Sequence, residues 1–165
     1  MSVQKYRLQP VFDMKEKKKK DAEKALAETR KELLKQQKLL SDREQEWRNA
    51  IEKRQTYTAE FLAKMEKGME QVRISQGKAY IEVLKQNIEL AKKKVEEQKK
   101  VVHQWEKKVE AAVAKVMETT KDWKVIEKHK ENWLETAKRE SEMKEDKEQE
   151  EVAQSLYEQV RRRQS

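Results

Sequence analysis

Two histidines, four tryptophans and one dense basic run are the residues here with a distinctive chemistry to offer. His103 and His129 are the only imidazoles. On a single helix that separation is tens of ångströms, and neither sits in a carboxylate–histidine cluster. The chain has no cysteine, so it has no thiolate nucleophile, disulfide or thiolate metal site. It also lacks a glycine-rich phosphate loop and an HExxH-type spacing. Both histidines therefore read as surface residues, and no enzyme, catalytic residue, cofactor or metal is expected. The run Lys15-Glu16-Lys17-Lys18-Lys19-Lys20 wraps most of a helix and offers no narrow groove-reading face. Aromatics interleaved for single-stranded nucleic acid are missing. A solvated segment, or one facing an acidic partner, is favoured over a nucleic-acid site.

The tryptophans lead back to the elements that must position them. Stepping by three and four residues from Ile81 visits Leu84, Ile88, Ala91, Val95, Gln98, Val102, Trp105, Val109, Ala112, Val116, Thr119, Trp123, Ile126, Lys130, Trp133 and Ala137. All are apolar except Gln98, Thr119 and Lys130. Sustained 3-4 spacing marks a coiled-coil seam, because 3.5 residues per turn keeps one stripe toward a partner helix. A second frame passes through Ala22, Leu26, Thr29, Leu33, Gln36, Leu40, Arg43, Trp47, Ala50, Arg54, Tyr57 and Phe61, and Met65 and Met69 continue it. All four tryptophans thus fall on a seam, where core packing is the simpler role. Trp133, near the end of its tract, is the exception that could anchor a partner.

Composition agrees with a thin stripe rather than a round core. Of 165 residues, 44% are charged and 35% belong to the hydrophobic class, with a mean hydropathy of −1.24. That is too little apolar material for a globular domain. Forty basic and 32 acidic residues leave a net charge of +8, mostly interleaved as on a solvated helix surface. No apolar run is long enough to span a membrane, and no signal-like apolar stretch opens the chain. A cytoplasmic location is the default expectation.

The expected fold is all-α: a long antiparallel two-helix coiled-coil hairpin with an unpaired C-terminal helical extension. Residues 1–9 read as an extended lead-in, and Pro10 opens helix 1, where proline is tolerated. Helix 1 covers 10–67. Gly68 and Gly77 are the only glycines, so the turn is placed within 68–77. Helix 2 pairs with helix 1 over 78–140, and 141–165 overhangs. Each paired arm of about 60 residues would run roughly 90 Å at 1.5 Å per residue. Centring the turn between Val72 and Arg73 sets Phe61 opposite Leu84, Trp47 opposite Gln98, Gln36 opposite Val109 and Arg43 opposite Val102. It also sets Lys15 opposite Lys130, a like-charge layer expected to loosen the open end. A slip by one heptad would again place seam on seam.

Tyr6-x-Leu8-x-Pro10-Val11 runs directly into a Lys/Glu-rich helix with Ala22-Glu23. Gln104-Trp105-x-x-Lys108-Val109-x-x-Ala112 follows in helix 2, then His129-Lys130-Glu131-x-Trp133 and Glu150-Glu151. In these features the chain resembles the FliJ/YscO (SctO) family, central stalk proteins of type III secretion systems, in its injectisome branch. The resemblance implies a non-enzymatic stalk. Its open end would enter the hexameric secretion ATPase and promote ring assembly and activity. The stalk would also reach the cytoplasmic ring of the export gate protein and bind export chaperones. By position, Tyr6, Leu8, Val11, Phe12, Trp133, Leu156, Tyr157, Arg161, Arg162 and Arg163 would face the ATPase ring. Tyr80, Val83 and Leu90, flanking the seam near the tip, are candidate contacts for the gate or a chaperone. The implied protein is monomeric when free, binds no nucleic acid and makes no stable membrane insertion. It works in the cytoplasm, peripheral to the inner-membrane export apparatus.

Two other readings fit the same residues. A generic coiled-coil scaffold would self-associate through the stripes, although a parallel dimer would set Arg43 and Arg54 against their own copies. A basic nucleic-acid or membrane-surface binder would use Lys15–Lys20 and Arg161–Arg163, with affinity falling steeply in salt.

Overall fold

The computed structural model describes residues 5–164. Two helices account for nearly all of them: α1, Gln9–Glu66, and α2, Gln71–Arg163. They run antiparallel as a hairpin, and α2 continues as helix past the region it shares with α1. With two glycines and one proline in the whole chain, little could interrupt either element. Pro10 sits in the first turn of α1, where its missing N–H costs nothing. The side chain of Gln9 donates to Asp13 Oδ1 at 2.9 Å across that same turn. Arg161, Arg162 and Arg163 occupy the last turn of α2, where the helix dipole favours cations.

The turn is shorter than the glycine spacing suggests. It takes only residues 67–70, and α2 begins at Gln71 instead of near Lys78. Gly68 makes the reversal, with φ +97° and its amide donating to Met65 O at 3.1 Å. Gly77 is not part of the turn. It lies inside α2, buried, where a Cβ would overlap the Phe61 ring. Its absent side chain makes room for an aromatic, so the two glycines serve different purposes.

The described chain divides into two compact units, one formed by residues 23–114 and the other by residues 5–22 with 115–164. In the first, the seam positions read from the sequence are the buried and half-buried ones, with Leu84, Val95 and Val102 the most enclosed aliphatics of α2. Their pairing differs from the expected register by about one heptad. Phe61 meets Gly77, not Leu84. Gln98, expected opposite Trp47, donates its side-chain amide to Gln36 O at 3.0 Å and Gln36 Oε1 at 2.8 Å. Arg43, expected opposite Val102, donates to Lys94 O at 3.2 Å. The heptad period makes both registers place seam on seam. Two unique fits decide between them: the Phe61 ring over the glycine, and the buried Gln98 whose amide needs an acceptor.

The second unit shows the same displacement. A turn centred between Val72 and Arg73 would set Trp123 opposite Ala22, but its ring packs against Phe12, with centroids 6.2 Å apart and planes tilted by 47°. Lys19 Nζ lies 4.0 Å from the Trp123 ring centroid. Lys15 reaches Asp122 at 3.7 Å, and the Lys130 ammonium sits over the Phe12 ring at 4.3 Å. The expected Lys15–Lys130 clash therefore does not arise, and its loosening of the open end falls with it. Thr119 is buried in the seam and satisfies its hydroxyl on its own helix, at Lys115 O, 2.9 Å.

Candidate docking surfaces

At the open end, the segment before α1 is anchored by one aromatic. Tyr6 is only 8% exposed, although it precedes the helix. Its hydroxyl lies 2.7 Å from His129 Nδ1, and its ring packs 5.2 Å from Trp133, tilted by 50°. His129 is on the surface, as its sequence context suggests, but its role as the partner of Tyr6 could not be read from spacing alone. Tyr6, Pro10, Trp133, Leu134 and Ala137 line an open groove of about 1080 Å³. Lys5, Arg7, Lys138, Glu140, Glu145 and Glu148 supply charges of both signs around it. Val11 and Phe12 are half-buried, and Leu8 is on the surface. The structure thus brings Tyr6 and Trp133 together, with Phe12 nearby beneath Lys130. Leu134 belongs to this groove but falls outside the seam, so the heptad count passed over it.

The C-terminal candidates stand apart. From Lys138 to Gln164 every residue is exposed. Leu156, Tyr157, Arg161, Arg162 and Arg163 lie on this stretch, beyond the groove. The seam gives the reason: past Ala137 the next 3-4 positions are Glu140, Lys144, Lys147 and Glu151, which offer α1 nothing apolar to cover.

Near the turn, Tyr80 packs edge-on against Tyr57, with centroids 4.6 Å apart. A cleft of about 400 Å³ opens beside them, walled by Phe61, Lys64, Met69 and Arg73. Val83 and Leu90 are exposed and share the outward face of α2 with Tyr80. Tyr57, a seam residue in the sequence, is the unforeseen half of this aromatic pair. Among the described residues, no group of three or more His, Cys, Asp or Glu could hold a metal ion. No described helix is long and apolar enough to cross a membrane.

Comparison with known proteins places this geometry. A family model described as YscO-like protein matches residues 3–164. A solved structure, titled as a candidate YscO homolog from Chlamydia trachomatis, superposes with a TM-score of 0.76 at 28% identity. That match covers 97% of this chain and 99% of the other. No curated protein matches the chain.

Proposed function

The chain belongs to the YscO-like family, and on that premise we propose that it is the non-enzymatic central stalk of a type III secretion export apparatus. Its open end inserts into the hexameric secretion ATPase and promotes assembly and activity of the ring. Its turn end reaches toward the export gate and is the surface offered to export chaperones. It acts in the cytoplasm, peripheral to the inner membrane.

The observation that supports this reading best is the asymmetry of α2. One helix carries both a packed hairpin and a stretch, 138–164, in which every residue is exposed. A helix with that composition is marginal alone, and it carries Val152, Leu156, Tyr157 and Val160 in the open. Such residues suit a surface covered in an assembly. The groove at Tyr6 and Trp133 adjoins the start of this stretch and offers the ring an apolar anchor with charges of both signs around it. A self-pairing scaffold fits less well, because the two seams are already filled by each other.

Site-specific photocrosslinking tests the polarity. A photoreactive residue at Leu8 or Leu156 is expected to capture the ATPase, and one at Val83 to capture a different component. ATPase adducts from Val83 and none from either open-end site would reverse the assignment.

A further inference from the structure

The exposed end of α2 carries a stripe and a charge order that fit a second copy of itself. Val152, Leu156 and Val160 recur every four residues and so share one helix face. They are 60%, 57% and 54% exposed. Charge on either side of the stripe is segregated. Residues 142–151 hold six acidic side chains against two lysines, and the last turn holds Arg162 and Arg163. A parallel pair would set acid against acid and base against base. An antiparallel pair sets them in opposition.

We propose that this segment forms a weak antiparallel homodimer about a two-fold axis at Leu156. Leu156 then meets its own copy, and Val152 meets Val160 of the other chain at both ends, as an isologous contact requires. In that register Arg162 and Arg163 come level with Glu150 and Gln149. On helical geometry they lie on the same flank as Glu148 and Glu151, within one turn. Three apolar layers make a small interface, so charge complementarity sets the register and the contact is reversible. The dimer does not depend on the stalk reading. If that reading holds, the pair covers Leu156, Tyr157, Arg162 and Arg163, so dimer and ring binding exclude each other.

Sedimentation equilibrium of the full chain at low salt tests this. The expected result is concentration-dependent dimerisation that weakens with added salt. Leu156→Asp removes it. The variants Arg162→Glu/Arg163→Glu and Glu148→Lys/Glu151→Lys each weaken self-association by roughly tenfold or more, because each sets like charges opposite each other. Mixing those two variants restores dimers, since acid and base are again opposed at both ends. All the substituted residues are exposed, and unchanged helicity by circular dichroism shows that the hairpin stays folded. A wild-type chain that remains monomeric to its solubility limit overturns the proposal. So does a dimer indifferent to these substitutions, or variants that fail to rescue each other.

Discussion

Deleting residues 141–165 is expected to leave a folded hairpin and to abolish the stimulation of the secretion ATPase proposed for the stalk. The folding half of this expectation follows from exposure. From Lys138 to Gln164 no residue is buried or half-buried, so the deletion removes little apolar surface that folding had taken from water. The midpoint of thermal unfolding should stay nearly unchanged, and the helical signal should fall only by the length removed. The functional half follows from position, since the deleted segment holds Leu156, Tyr157 and the arginines proposed to face the ring. Loss of stimulation should be nearly complete. Full stimulation by the truncated chain would move the contact to the groove at Tyr6 and Trp133, or off the open end entirely.

Gly77→Ala should destabilise the hairpin by about 2 kcal/mol, the usual scale for forcing extra atoms into a packed site. The new methyl would enter the space of the Phe61 ring, and Phe61 is itself buried. Gly68→Ala should cost about 1 kcal/mol for a different reason, because a Cβ at φ +97° is strained in otherwise open space. Urea unfolding measures both. Replacing Phe61 by Leu in the Gly77→Ala background should recover part of the loss, and a double-mutant cycle then reports the coupling of the two positions. A Gly77→Ala chain as stable as the parent would contradict the register described here. One heptad away, Phe61 would face Leu84 and the alanine would meet no ring.

The seams were legible because burial in a two-helix hairpin is decided almost entirely by periodicity. Ile81 through Ala137 and Ala22 through Phe61 are the inner faces in the folded chain, the polar Gln98, Thr119, Arg43 and Arg54 included. Register was not legible from periodicity, since shifting by seven residues changes no seam position into an outer one. It depends on particular fits. Gln98 could have been matched with Gln36 by asking which seam residue gives a buried amide an acceptor. Gly77 misled because glycine has two uses, freedom in φ and lack of a side chain, and sequence alone favours the first. Among the candidate site residues, Trp133 stood out as the seam aromatic nearest the end of the pairing. The burial of Tyr6 depends on a contact with His129 across 123 positions of chain, which no local pattern encodes. The exposed candidates, Val83, Leu90, Leu156 and Tyr157, were legible only as apolar residues off the seam.

The proposed stalk activates a hexameric ATPase by entering its ring, and its other proposed contacts follow from that insertion. ATP hydrolysis by the cognate secretion ATPase tests it most directly, measured with and without the chain at concentrations where the ring is partly dissociated. The expected result is a clear rise in rate with added chain, accompanied by hexamers that co-migrate with it. An unchanged rate with no co-migration would contradict it and return the protein to the class of coiled-coil tethers.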